Sequence, residues 1–148
     1  MAYTNAISSY RETTVKTASQ GQLIIMLYDE AVKSLDRALE LLLLNTEGRK
    51  DPGNIEKISK SIVKAQEIIT ELTVSLDFDQ GGEIAKRLFS LYTWFNQEII
   101  EANVSKDMVR ISNIRTMIHE LRMAWVEVVS KTSVETQESQ RSGINIAG

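Results

Sequence analysis

The chain has 148 residues, a length that fits one domain able to bury its own core without a metal ion or a disulfide. Its net charge of −3 comes from 17 basic and 20 acidic residues without a basic cluster, which argues against a nucleic-acid partner. With no cysteine and one histidine, the chain lacks the residues that most catalytic and metal-binding constellations need, so we expect neither an enzyme nor a cofactor.

The N-terminal segment is polar, apart from a sparse apolar stripe at Tyr3, Ile7 and Tyr10. Steps of four and three residues put these side chains on one face of a helix, which would be marginal alone. The segment has neither the basic start nor the apolar run of a secretory signal. The longest fully apolar run, residues 23–28, is too short to cross a membrane. We therefore expect a soluble, intracellular protein that is not inserted into a membrane.

Four stretches with helical periodicity follow, and the chain has only one proline and seven glycines to interrupt them. The first begins at a capping box formed by Ser19 and Gln22 and is predicted to end near Asn45. The second follows a turn in which Pro52 can take the first helical position behind an Asp51 cap.

The second stretch has the most regular pattern in the chain. Its apolar residues recur in steps of three and four, which is typical of a bundle seam. They are Ile55, Ile58, Ile62, Ala65, Ile69, Leu72 and Leu76. Residues 77–82, which include the pair Gly81 and Gly82, then interrupt the helix because paired glycines are unfavourable within helices.

The third and fourth helices are predicted over residues 83–103 and 106–131, again from apolar steps of three and four. Residues 132–148 are polar and are predicted to form a disordered, flexible tail. Short connections favour antiparallel neighbours. The predicted fold class is therefore all-α, an antiparallel up-down four-helix bundle in one domain over residues 1–131, with a short N-terminal segment and the disordered C-terminal tail.

His119 suggests one alternative function. The run His119-Glu120-Leu121-Arg122 is similar to the His-x-Leu-Lys pattern of histidine phosphotransfer domains, which are also four-helix bundles. Those domains have a glycine after the lysine, and this chain has Met123 there, whose bulk would crowd a partner. The simpler interpretation is an ordinary surface histidine. A generic helical adaptor with another client is the second alternative.

Four blocks, in order along the chain, resemble the FliS family of flagellin export chaperones. Residues 17–29 are similar to its start T-A-S-P-G-E-L running into L-M-L-Y-D, and residues 64–72 to its K-A-Q-x-I-I-x-E-L. Residues 91–103 contain its L-Y and E-A-N, and residues 121–125 its L-R-x-x-W. Gln20 replaces the usual proline in the first block, but the capping box is retained.

The resemblance implies a cytosolic chaperone with an antiparallel four-helix bundle. Proteins of this family bind the disordered C-terminal segment of flagellin, prevent premature polymerisation and deliver it to the flagellar secretion apparatus. Binding of this kind lays client helices into apolar grooves. The implied partners are therefore flagellin and the export apparatus, and a homodimer formed without client is an open alternative.

The apolar residues within or beside these blocks predict the binding site. The predicted client groove consists of Tyr28, Ile68, Leu72, Tyr92, Phe95 and Ile99. For Leu72, Phe95 and Ile99, the seam spacing is equally consistent with a place in the core. Tyr3, Ile7 and Tyr10 are predicted to fold back over part of this groove when no client is bound, because aromatic and aliphatic side chains suit an apolar groove with a wet rim.

Overall fold

The computed structural model describes the backbone of residues 20–46 and 51–147, and the side chains of residues 20–46 and 51–131. These ranges contain four helices. They are α1 (Gln20–Thr46), α2 (Pro52–Val74), α3 (Phe78–Ser105) and α4 (Met108–Ala147). Helix α1 packs against α2 and α4, and α3 packs against the same two helices. The predicted all-α four-helix bundle is confirmed, whereas Ser19 and the segment with Tyr3, Ile7 and Tyr10 lie outside the described residues.

Aspartate side chains begin three of the helices. Asp51, Asp77 and Asp107 each accept hydrogen bonds from backbone N–H groups two or three residues further on, at 2.9–3.2 Å. Such caps satisfy donors that a helix start leaves free. The predicted Asp51 cap is confirmed, with Pro52 as the first residue of α2. The Asp77 cap was not predicted, and because of it α3 begins at Phe78 rather than near residue 83.

The predicted interruption at residues 77–82 is a kink within α3 rather than a loop. Gly82 has φ 50° and ψ −125°, a conformation that residues with a side chain rarely adopt. Across the kink, the ring of Phe78 packs edge-on against Phe89 with the ring centroids 6.0 Å apart. Helix α3 therefore starts as one separate turn that is capped and packed in place.

Lys106 ends α3 and ties it to α2. It adopts a left-handed conformation with φ 54°, and its ammonium group donates to the Ser59 hydroxyl at 2.9 Å and to the Asn103 carbonyl at 2.6 Å. Burial lowers the pKa of this ammonium group below its usual value. A cation on the last carbonyls of a helix also complements the helix dipole. Asn103, from the E-A-N block, thus has a structural role at this junction.

Ion pairs fix the register of α1 and α4. The Arg115 guanidinium bonds to the Asp36 carboxylate at 2.8 Å, and Arg122 pairs with Asp29. The partners on both helices are seven residues apart and run in opposite directions, as antiparallel neighbours require. Between the helices lies one apolar core, to which Leu35, Ile62 and other fully buried side chains contribute.

Helix α4 is longer than predicted. Its backbone is helical to Ala147, so the predicted end near residue 131 is corrected. No proline occurs in this stretch and the first glycine is Gly143, so none of the residues that stop helices most strongly lies near residue 131. A flexible polar tail over residues 132–148, as a unit apart from the bundle, stays a prediction.

Candidate functional site

The six residues predicted to line a client groove are buried in the core. Their exposed fractions are between 0% and 2%. They are Tyr28, Ile68, Leu72, Tyr92, Phe95 and Ile99. In this structure they form the interior of the bundle rather than an open groove, because other helices already cover the apolar faces that the steps of three and four mark. That they contact a client stays a prediction.

Two of the six, Leu72 and Tyr92, also line an apolar cavity at one end of the bundle, which we call the apical cavity. It has a volume of about 400 Å³, within the range of pockets that bind ligands. All four helices contribute to it. Its lining comprises Gln20, Gly21, Leu23, Ile24 and Leu27 of α1, Leu72 of α2, Ser75, Leu76 and Asp77 beyond α2, Gln80, Gly81, Ile84, Ala85, Leu88 and Tyr92 of α3, and Trp125 of α4.

The apical cavity opens to solvent at a rim of polar and small residues. Gln20, Asp77 and Gln80 on this rim are exposed, and Ile84 on the wall is 67% exposed. Gly21 keeps the start of α1 close to α4, because a Cβ atom at this position would collide with the side chain of Val129. An exposed isoleucine beside an apolar cavity forgoes the stabilisation that burial would give it. Covering this wall of the cavity with an apolar partner would therefore stabilise the protein.

An apolar seam continues from the cavity between α3 and α4, the least closely packed pair of neighbouring helices. We call it the α3–α4 seam. The side chains that form it lie against the core but are only partly buried. They are Leu88, Leu91, Met117, Leu121 and Trp125. Exposed Trp94 and Val128 extend the apolar surface of the two helices. Trp125 is shared between the seam and the cavity.

Two tyrosine hydroxyls meet beneath the cavity. Tyr28 of α1 and Tyr92 of α3 are hydrogen-bonded through their hydroxyl groups. Burial raises the pKa of both groups above the ordinary value of 10.0, and the neighbouring Tyr28 adds to the increase for Tyr92. Both therefore stay protonated in the folded protein at any pH near neutrality.

Because of this tyrosine pair, we expect the free energy of unfolding to decrease above pH 10. Tyrosines of the unfolded chain lose their protons there, whereas the buried pair does not, so the contribution is complete below pH 10 and is lost as the pH rises further. The free energy of unfolding should fall by up to about 1.4 kcal/mol per pH unit for each tyrosine, over the pH range in which the folded protein keeps a proton that the unfolded chain has lost. Urea denaturation at pH 9 and pH 11 measures this fall, and the variant with Tyr28→Phe and Tyr92→Phe should show a smaller one. An equal fall in both proteins would contradict the prediction.

A second cavity lies between α1 and α4 near the other end of the bundle. It has a volume of about 580 Å³ and includes Leu43 and Val109, both exposed, together with Asp36. Asp36 is already paired with Arg115. Its lining comes from two helices, α1 and α4, whereas all four helices contribute to the apical cavity.

His119 lies half-buried on α4. Arg122, which stands where phosphotransfer domains have their lysine, is engaged in the ion pair with Asp29. This arrangement gives the phosphotransfer alternative no support. Among the described side chains, no three His, Cys, Asp or Glu residues are grouped so as to hold a metal ion.

In the described part of the chain, no helix is both long enough and apolar enough to span a membrane. Fold and site together define an all-helical bundle with an apolar cavity at one end and a partly open seam leading away from it. Comparison with known proteins shows which family of helical bundles this chain is similar to. The model of the family "Flagellar protein FliS" matches residues 3–132. The chain therefore belongs to the FliS family of flagellar secretion chaperones, and the resemblance of the four sequence blocks is confirmed.

Relatives from distant bacteria agree. The flagellar secretion chaperone FliS of Salmonella typhimurium (strain LT2) is 31% identical over 125 residues, 84% of this chain and 87% of that protein. That of Bacillus subtilis (strain 168) is 24% identical over 143 residues, 97% of this chain and 96% of that protein. That of Escherichia coli (strain K12) is 29% identical over 124 residues, 83% and 85% of the two chains. The similarity thus extends over the whole bundle.

Proposed function

We propose that this protein is a cytoplasmic export chaperone that binds the C-terminal segment of flagellin in the apical cavity and along the α3–α4 seam. Membership of a family of flagellar secretion chaperones supports the class of client. The observation that carries the proposal is the apolar cavity with exposed Ile84 on its wall, continued by the half-buried residues of the seam. An apolar surface of this shape suits the apolar face of a client helix.

The mechanism needs no covalent chemistry. A disordered segment folds as helices against the cavity and the seam, and the apolar side chains that would otherwise drive polymerisation are covered. The bundle supplies the binding surface and has its own core of buried side chains, to which the six residues described above belong. Release at the flagellar secretion apparatus returns the segment to its disordered state, in which it can be exported.

Calorimetric titration with the C-terminal segment of flagellin from the same bacterium tests this proposal. Folding coupled to binding should bury on the order of 1,000–3,000 Å² and give a negative heat-capacity change between 10 and about 35 °C. An N-terminal flagellin segment of equal length is the control and should not bind. Absence of binding by the C-terminal segment, or binding with a heat-capacity change near zero, would contradict the wrapping model.

The N-terminal segment is proposed to cover the apical cavity in the absence of client. Residues 1–19 join α1 at Gln20, which together with Gly21 forms part of the cavity lining. The stripe Tyr3, Ile7 and Tyr10 therefore belongs to a segment attached at the rim. A segment that competes with the client lowers the apparent affinity by the fraction of time that the cavity is covered.

Deletion of residues 2–16 is therefore expected to tighten binding of the flagellin segment and to increase self-association of the client-free protein. Calorimetry measures the first effect, and sedimentation at several concentrations measures the second, including any homodimer that pairs through the uncovered surface. If affinity and self-association are both unchanged, the segment does not cover the cavity. If affinity falls instead, Ile7 and Tyr10 are part of the client site.

A further inference from the structure

The two hydroxyl groups of the buried tyrosine pair carry one more proton than the hydrogen bond between them uses. Tyr28 and Tyr92 are 0% and 2% exposed, and their hydroxyl groups bond to each other. Each hydroxyl carries one proton to donate. A single hydrogen bond between them uses one proton, whichever residue donates, so the proton of the other hydroxyl needs an acceptor elsewhere.

The only other polar side chain that acts on this pair among the described residues is Trp125, whose indole N–H interacts with the Tyr28 hydroxyl. An indole N–H is a donor and cannot accept a hydrogen bond. Either tyrosine can donate the hydrogen bond between the two hydroxyl groups, and in both arrangements one proton is left without an acceptor, which is unfavourable for a buried donor. When Tyr28 is the donor, the unused proton is that of Tyr92.

Tyr92 is also the member of the pair that reaches the apical cavity. It belongs to the cavity lining together with Trp125, whereas Tyr28 does not. An acceptor that enters the cavity can therefore approach Tyr92 without opening the core. The apolar neighbours Leu72 and Leu88 keep this environment poor in competing acceptors, so a hydrogen bond made there is stronger than one made in water.

We propose that the Tyr92 hydroxyl is a specificity determinant of the cavity, donating a hydrogen bond to a main-chain carbonyl oxygen of the bound flagellin segment. This inference rests on the proposed function. Carbonyl groups within a helix already accept from the helix's own N–H groups, but the last four carbonyls of a helix do not. The client thus enters the apical cavity with the C-terminal end of one of its helices and lays the preceding turns along the α3–α4 seam.

Calorimetric titration of three full-length proteins with the C-terminal flagellin segment tests this assignment. Tyr92→Phe removes the donor and keeps the ring, and should weaken binding about three- to tenfold. Tyr28→Phe removes the other hydroxyl and retains the Tyr92 donor, and should bind within about twofold of the wild type. Thermal unfolding followed by circular dichroism sets a temperature at which all three proteins are folded.

Each outcome decides the question. A loss of affinity confined to Tyr92→Phe supports the assignment. Wild-type affinity in Tyr92→Phe, or an equal loss in both variants, overturns it, because the pair would then contribute only to the core. If the wild type itself does not bind the segment, the proposed function fails. Binding by the wild type with unchanged affinity in Tyr92→Phe leaves the proposed function standing and removes only the hydrogen bond.

Discussion

Replacing Ile68 with alanine is expected to lower the free energy of unfolding by about 2–5 kcal/mol. The Ile68 side chain is 0% exposed in the centre of the core, so the smaller residue leaves a cavity that its neighbours fill only in part. Val63, on the same helix, is 42% exposed and provides the matched control. Val63→Ala should change the stability by less than about 0.5 kcal/mol. Urea denaturation followed by circular dichroism measures both.

The same two variants also show whether Ile68 belongs to the core or to a client-binding groove. A core residue affects client binding only through the folded fraction, so Ile68→Ala should bind the flagellin segment normally at a temperature at which it is folded. If Ile68→Ala keeps its stability but no longer binds the flagellin segment, Ile68 is part of the binding surface.

The helices of this bundle could be predicted from the sequence because burial has a period. Steps of three and four from Ile58 to Leu72 put one face of α2 toward its neighbours, and those residues are buried as expected. The periodicity fails at its ends, where Ile55 of α2 and Ile84 of α3 follow the same spacing but are exposed. Spacing alone cannot show where the partner helices end.

The helix boundaries depended on local chemistry. The Asp51 cap with Pro52 behind it was recognisable, because both signals point to the same start. Asp77 and Asp107 act in the same way, but adjacent glycines at residues 81–82 obscured the first. A Gly82 kink inside a helix cannot be distinguished from a loop by composition, since both require a residue that tolerates positive φ.

The binding site was the hardest feature to predict. The blocks that resemble the FliS family contain core residues as well as surface residues, so they do not distinguish Tyr28, Phe95 and Ile99, which pack inside, from residues that are open to a client. The residues that line the apical cavity come from four helices that are far apart in the sequence. One signal was available, because the start of α3 carries Ile84 and Leu88 next to a glycine pair, where a bundle end is expected to be loosely filled.

The client site predicts a large effect at one exposed residue. Ile84→Glu should weaken binding of the flagellin segment by at least about tenfold, and by about 100-fold if the new carboxylate is fully covered. Burial of an isoleucine contributes about 1.5–3 kcal/mol, which is lost, and desolvation of the charge adds to the loss. Because Ile84 is 67% exposed, the folded protein itself should change little.

Val104→Glu is the matched control for this variant. Val104 lies on the same helix and is 85% exposed, but it does not line the apical cavity. Both variants add one negative charge, so a general electrostatic effect on the client would weaken both equally. Val104 is near the C-terminal end of α3, whereas Ile84 is near its start. The helix dipole therefore disfavours the new glutamate of the control variant by about 0.3–1 kcal/mol. Thermal unfolding of both variants measures this difference in stability. Loss of binding confined to Ile84→Glu would identify the apical cavity as the client site, and equal binding by both variants would exclude it.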